Sequence, residues 1–432
     1  MKIVAFLPAK GTSERVESKN MRLLDGKPLF LHTLEKLIEC DFIDEVYLDS
    51  ESDEILNYAP YLNYIKLKRD IELANNKTDG HKMFYNEVRQ VEADIYIQIL
   101  GTSPFIKKET IKKGIEVLQN CPQYDSIVLV KKEKQYTWNG EKPNYDKDNI
   151  PNSKDLSDTI VETMGLYMVR AESAKKNKKR IGDAPYLLYA EAIEAVDVNY
   201  EDDFLLAEAI AKGIRRKEIR ELEVYKNQLS SCILSDVLFD LGFKNQVVSG
   251  LKLNIPGKRI LGRANTLKLR ELKENENFEG IYDGLKTYKS VREGDVIVVE
   301  NQCEDKAYFG NLNANLSIRA GAVGTIVNSV TRDINEVKAL DYPVFSKGYC
   351  CADVRGVAVI DSHNQPIAIG NVGIEPGDLV FGDINGVVVI PKKIEKEVIN
   401  RAIDAVKREK TVLEKIIDNE DAFEIYKEEG AF

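Results

Sequence analysis

Histidine is scarce, with three in 432 residues (His32, His81, His363), and they stand far apart. That leaves little material for a histidine-based zinc centre or for the base of a hydrolase triad. The six cysteines are scattered with no Cys-x-x-Cys pair. Only Cys350 and Cys351 adjoin, and sequence neighbours rarely make a sensible disulfide or zinc site, so reduced structural thiols are expected. No apolar run approaches the roughly 20 residues that span a bilayer. The opening apolar stretch is too short for a signal-peptide core and is interrupted by Pro8, which predicts a cytoplasmic protein without a membrane span. Cations are outnumbered, 61 Lys and Arg against 71 Asp and Glu, for a net charge of -10. This argues against a general nucleic-acid surface, whose affinity depends on neutralising phosphates. A nucleotide needs only a local cluster of cations, so nucleotides stay open.

The length exceeds a usual single core and predicts two domains, over 1–222 and 228–432. The first half alternates strands (2–7, 45–49, 95–100, 126–131, 165–169) with helices (28–40, 80–92, 107–119, 201–213). That rhythm predicts an α/β fold with a mostly parallel sheet covered on both faces. Residues 132–160 read as a long polar loop. Charged runs at 66–70 and 174–180 read as solvated faces, and Cys40 and Tyr47 as core. The second half has many short strands, a helix over 231–242, another over 310–320, a hairpin at Asn385-Gly386 and a closing helix over 391–417. It predicts a compact β-rich α/β domain.

The most informative segment is the first, Ile3 to Leu7 followed by Pro8, Ala9, Lys10, Gly11, Thr12, Ser13 and, further on, Arg15, Lys19 and Asn20. A loop after a strand can turn several backbone N–H groups and three cations toward one polyanion, as a nucleoside triphosphate requires. The spacing is not that of the common phosphate loop, which ends in Gly-Lys-Ser/Thr. Asp25-Gly-Lys-Pro-Leu29, Leu100-Gly-Thr-Ser-Pro-Phe105 and Asp197-Val-Asn-Tyr-Glu-Asp-Asp-Phe204 follow in order. This ordered set resembles the CMP-sugar synthetase (acylneuraminate cytidylyltransferase) family over about the first 215 residues.

The resemblance implies a Rossmann-like nucleotidyltransferase sandwich that moves CMP from CTP to a sugar acid. It implies Lys10, Arg15 and Lys19 on the triphosphate, with Lys10 at the family's arginine position and backbone donors from Gly11 to Ser13. Pro8, Ala9, Asn20, Thr102 and Ser103 would line the nucleotide, and Asp197 would hold Mg²⁺, with Mn²⁺ a possible substitute. Two positions depart from the family. Its second metal aspartate is Asn199, which coordinates with less charge, and its glutamine in the third segment is Leu100, which points to an unusual acceptor.

The second half carries Glu304-Asp-Lys-Ala-Tyr-Phe-Gly310-Asn-Leu312, Gly324-Thr-Ile-Val-Asn-Ser-Val-Thr-Arg332-Asp333, Pro343-Val-Phe-Ser-Lys-Gly348 and Pro376 to Pro391. It resembles the 4-hydroxy-4-methyl-2-oxoglutarate aldolase family, which includes the regulator of ribonuclease activity A, and implies a swivelling β/β/α-type domain. By that resemblance Asp333 anchors Mg²⁺, Arg332 binds a 2-keto acid such as pyruvate or oxaloacetate, and N–H groups of Gly310, Asn311 and Leu312 hold its carboxylate. Glu409 would come from a neighbouring subunit. Asn311 stands where the family has an acid, and an amide is no general acid or base near neutral pH. A slow lyase, a lyase with another proton route, and an oligomerisation module all remain open. Together the halves suggest a bifunctional enzyme of surface-polysaccharide synthesis acting on a 2-keto-3-deoxy sugar acid. The rivals are transfer to a sugar or polyol phosphate, and a second half that only binds and assembles. A homo-oligomer is expected, a dimer through the first domain and a trimer or hexamer through the second.

Overall fold

The computed structural model describes residues 1–13, 15–75 and 78–430, so Ala431 and Phe432 of the expected second domain lie outside it. The chain divides into two compact units, Met1–Lys212 and Gly213–Phe432.

In the first unit seven strands form one sheet. They are β1 (Ile3–Pro8), β2 (Glu45–Ser50), β3 (Ile65–Lys68), β4 (Ile95–Ile99), β5 (Ser126–Glu133), β6 (Thr159–Arg170) and β7 (Pro185–Tyr189), in the order β7-β5-β6-β4-β1-β2-β3. Only β6 runs antiparallel to its neighbours. Val4 to Leu7 of β1 are all fully buried, as a strand covered on both faces requires. Helices α1 (Leu29–Ile38), α2 (Gly80–Val88) and α3 (Lys108–Asn120) supply the cover. Leu31, Leu34, Leu37, Ile111, Ile115 and Leu118 recur at helical spacing and pack on one side with β1 and β4. Phe84 and Val88 pack on the other with Val4, Phe6 and Tyr96.

From β1 the chain moves outward to β2 and β3, then returns to lay β4 on the opposite flank of β1. The strand order therefore reverses between β1 and β4. In an open α/β sheet the crevice beyond the strand ends at such a point is where ligands sit.

Several sequence expectations need correction. The helix expected over 201–213 is α4 (Glu201–Gln228), because the charged stretch 215–223 continues it and buries Arg215 and Leu222. Within 132–160, β5 runs to Glu133, Trp138–Asn139 pairs with Lys142–Pro143, and β6 starts at Thr159. The run at 66–70 is not a solvated face throughout, since Arg69 is 2% exposed. Period-two alternation sets Arg69 on the same side as the buried Leu67. Cys40 is buried as expected, whereas Tyr47 is half-buried.

The second unit centres on a nine-stranded mixed sheet. Its parallel part joins β8 (Ile260–Glu271), β9 (Asp295–Asn301), β10 (Gly324–Val327) and β11 (Val344–Ser346), and the antiparallel pair β12 (Leu379–Asp383) and β13 (Gly386–Ile390) extends it from β8. Helices α5 (Ser231–Asp240) and α6 (Asn311–Ala320) precede the last strands, and α7 (Glu395–Ile417) and α8 (Ala422–Glu429) follow them. α7 does not end the fold, because α8 packs after it. The β12–β13 hairpin forms, but its two-residue loop is Ile384-Asn385, one residue earlier than expected. The Asn385 N–H donates to Asp383 Oδ1 at 2.9 Å, so an aspartate-capped turn displaces the Asn-Gly one.

Asp295, fully buried at the head of β9, accepts from Arg215 and from Arg292. Asp295→Ala leaves the buried Arg215 guanidinium without this partner and should cost about 3–5 kcal/mol. Calorimetry should show the loss as a lower unfolding temperature for the transition of residues 213–430.

Candidate nucleotide and keto-acid sites

A cleft of about 170 Å³ opens at the ends of β1 and β4, lined by Pro8, Lys10, Thr12, Ser13, Arg15, Lys19, Asn20, Arg69, Met83, Leu100, Gly101 and Thr102. Its lining holds four cationic side chains and no carboxylate, an environment suited to a polyanion. The first loop is tied down at several points. The Ala9 N–H donates to Asp49 O at 2.9 Å, and Asn20 Nδ2 donates to Lys10 O at 2.8 Å. A Cβ on Gly11 would stand 2.6 Å from Ser52 Cβ, so only glycine lets the loop approach β2 this closely. The Gly11 N–H, expected among the donors for phosphate, instead donates to Glu51 Oε1 at 2.6 Å.

The distant segments converge on this loop. Lys19 Nζ donates to Val198 O at 2.8 Å in buried surroundings, and the Val198 N–H donates to Thr102 O at 2.9 Å. Ser103 Oγ donates to Asp197 Oδ1 at 3.2 Å, and Asn199 Nδ2 to Asp197 Oδ2 at 2.6 Å. Asp203 holds the start of α4 by accepting from the N–H groups of Asn199 and Tyr200. Arg15 lies 5.3 Å from the Tyr200 ring. Lys10, Arg15, Lys19, Asn20, Thr102, Ser103, Asp197 and Asn199 thus gather at one place.

Asp197 and Asn199 are half-buried and offer the hard oxygens that Mg²⁺ prefers, once the Asn199 amide turns its oxygen inward. No group of three or more His, Cys, Asp and Glu gathers among the described residues. Asp197 and Asn199 fit the ion in kind.

Two residues went unread in the sequence. Arg69 lines the cleft, and Glu51 braces it by accepting from Arg69 Nη2 at 3.0 Å while holding Gly11. The alternation Leu67-x-Arg69 was the available signal.

In the second unit Arg332 and Asp333 follow β10 and line a cavity of about 350 Å³ with Thr331, Ile334, Tyr349, Cys350 and Cys351. Asp333 adopts a left-handed backbone (φ +57°), and its Oδ2 accepts from the Asn311 N–H at 3.0 Å. A Cβ on Gly310 would lie 2.6 Å from that same oxygen, which explains glycine there. The Asn311 N–H expected to hold a substrate carboxylate is thus engaged by Asp333. Arg332 Nη1 pairs with Asp353 at 2.6 Å, a partner not foreseen. Leu312 is exposed, and Glu409 lies exposed on α7.

Residues 231–389 match the family model described as Aldolase/RraA, and residues 4–192 the one described as Cytidylyltransferase. A protein of Halalkalibacterium halodurans named "Putative 4-hydroxy-4-methyl-2-oxoglutarate aldolase" is 32% identical over 189 residues, covering 43% of this chain and 83% of that protein. The chain belongs to the RraA-like aldolase family. The match to the cytidylyltransferase model lies ahead of that domain in the chain. Protein DlpA of Legionella pneumophila is 31% identical over 177 residues, 40% of this chain and 28% of DlpA. The CMP-N,N'-diacetyllegionaminic acid synthase of the same species is 32% identical over 123 residues, 27% of this chain and 53% of the synthase. The chain thus spans about a quarter and a half of these two relatives. No helix among the described residues is long and apolar enough to cross a membrane.

Burial pulls the Lys19 ammonium below the ordinary lysine range. Asp197 opposes the shift, while Arg15 and Lys10 add to it. A lowered value means that the proton leaves at lower pH than from an exposed lysine. A ¹³Cε-lysine NMR titration, with Lys19→Arg assigning the signal, should show Lys19 titrating ahead of the exposed lysines. Co-titration with them would contradict the buried placement.

Proposed function

We propose that the first domain transfers CMP from CTP to a 2-keto-3-deoxy sugar acid and releases pyrophosphate. The observation that carries the proposal is the convergence of Lys10, Arg15 and Lys19 on one cleft, with the Asp197 charge acting on Lys19 from beside it. An acceptor hydroxyl attacks the α-phosphorus, the new O–P bond forms, and the bond to the pyrophosphate oxygen breaks. The hydroxyl proton leaves to solvent or to a nearby base. Charge accumulates on the phosphate oxygens, and the three cations offset it where it develops. Asn20 and the Thr102-Ser103 turn orient the nucleoside. Asp197 and Asn199 would hold Mg²⁺, which supplies Lewis-acid stabilisation of the phosphates. Leu100 lines the cleft where the resembled family has glutamine, and this keeps a sugar or polyol phosphate acceptor as the rival.

For the second domain we propose a Mg²⁺-dependent 2-keto acid site built on Arg332 and Asp333, with Glu409 supplied by a neighbouring copy in a homo-oligomer. Arg332 would bind the acid and Asp333 would hold the metal. The second reading, a binding and assembly module, is favoured by one observation: the Asp333 carboxylate already caps the Asn311 N–H. Such an enzyme would serve cytoplasmic synthesis of a surface polysaccharide.

Pyrophosphate release from CTP is the test of the first domain, run across 2-keto-3-deoxy sugar acids and sugar phosphates. Release is expected with a keto acid, and Lys19→Met should lower kcat/KM about 10²–10³-fold. No release with any acceptor removes the transferase reading. Oxaloacetate decarboxylation tests the second domain. Turnover that needs Mg²⁺ and disappears in Arg332→Ala supports the lyase, and its absence in the parent protein supports the assembly module.

A further inference from the structure

We infer that Glu87 carries a proton that it shares with Asp49, and that this buried acid pair positions Arg69 in the wall of the nucleotide cleft. The inference rests on the reading of that cleft as a CTP site for its functional half only. Asp49 comes from β2, Glu87 from α2 and Gln98 from β4, and Arg69 follows β3. All four are buried, Asp49, Glu87 and Gln98 completely.

The hydrogen-bond inventory does not close if both acids are ionised. Glu87 Oε2 accepts from Gln98 Nε2 at 2.6 Å. Glu87 Oε1 and both Asp49 carboxylate oxygens have no hydrogen-bond donor among the described residues. Yet the two carboxyl groups adjoin in this buried layer, and each acts on the other. Two buried carboxylates in contact repel strongly, and each oxygen without a donor carries the full cost of desolvation. A single proton between them turns the clash into an O–H···O⁻ bond, among the stronger hydrogen bonds. Asp49 also faces a cation directly, with Arg69 Nη1 at 3.3 Å from its Oδ2, whereas Glu87 has its hydrogen bond from the neutral Gln98 amide and feels Arg69 more weakly than it feels Asp49. The proton therefore belongs on Glu87. Burial first, and then the Asp49 charge, push the Glu87 carboxyl well above the usual carboxylate range.

Arg69 is held from several sides. Nη2 donates to Glu51 Oε2 at 3.0 Å and to Ala9 O at 3.4 Å, and Nη1 lies 2.9 Å from Met83 Sδ. Glu51 in turn grips the Gly11 N–H. The acid pair, Arg69, Glu51 and the first loop thus form one connected set. With Glu87 neutral, Asp49, Glu51 and Arg69 sum to one negative charge behind the cleft. Ionising Glu87 would add a second and weaken the hold on an anionic ligand.

Glu87→Gln is the informative variant, because its amide donates to Asp49 and accepts from Gln98 without titrating. A group whose folded value is raised stabilises fully below its unfolded value, and that contribution is lost as pH climbs through the folded value. The thermal unfolding temperature of the parent protein should therefore fall relative to Glu87→Gln as pH rises from about 5. CTP titration at neutral pH should give the two proteins affinities within about twofold, while Glu87→Met, which has no donor, should bind at least tenfold more weakly. Parallel stability profiles for parent and Glu87→Gln would overturn the proton. A divergent profile with CTP affinity untouched in Glu87→Met would overturn the positioning of Arg69. Should Glu87→Met not fold, a tenfold loss in Glu87→Gln would overturn it, and equal affinity with a flatter alkaline decline would support it. A parent protein that binds no CTP removes the nucleotide reading, and the stability comparison still decides the proton.

Discussion

The first unit depends on one buried hydrogen bond, from the Lys19 ammonium to the Val198 carbonyl, which joins residues 179 apart in the chain. Lysine is rarely buried, and an ammonium away from water must satisfy its donors or lose its proton. Here the carbonyl supplies one partner, and the nearby Asp197 carboxylate offsets the charge. The cost of burying the cation is tolerated because the bond brings the end of the unit onto the loop at its beginning. With the Val198–Thr102 and Ser103–Asp197 hydrogen bonds it sets Asp197 and Asn199 near the first loop.

The sheet explains why the junction lies where it does. β1 is flanked by parallel neighbours whose connections leave in opposite directions, so a crevice opens beyond its carboxyl end. Both loops that enter the crevice, after β1 and after β4, need close backbone approach. Gly11 permits it against Ser52, and Gly165 leaves room for Ser103, whose Oγ would lie 2.6 Å from a Cβ there. The second unit solves a similar problem differently. Asp333 takes a left-handed backbone and turns its carboxylate onto the first turn of α6, over a glycine that clears the way. The same carboxylate cannot accept from that N–H and also be wholly available to a metal, and this tension is what separates a lyase from an assembly module.

Much of this was legible in the chain itself. The alternating strands and helices of the first half announced a mostly parallel sheet. The four separated segments, read in order, brought together the residues that meet in the cleft. What escaped the sequence was of two kinds. Arg69 sits in a run, 66–70, that looks solvated by composition, and only the burial of β3 on one side turns it inward, to where Glu51 accepts from it. Composition also hid the continuity of α4, because a charged stretch with good helix formers reads equally well as a linker or as a helix. The partner of Arg332 could not be read either, since Asp353 lies in an irregular segment 21 positions later. Local pattern reports which face a residue takes, and it is silent about long-range charge pairing.

On the proposed function, the Lys19–Val198 junction frames a triphosphate site. A crystal structure of the full chain with CTP and Mg²⁺ tests it most directly. Phosphate oxygens are expected within hydrogen-bond distance of Lys10, Arg15 and Lys19, with the metal on the Asp197 side of the cleft. Nucleotide bound elsewhere on the protein, or seated in the cleft with its phosphates directed away from Lys19 and Asp197, would contradict it.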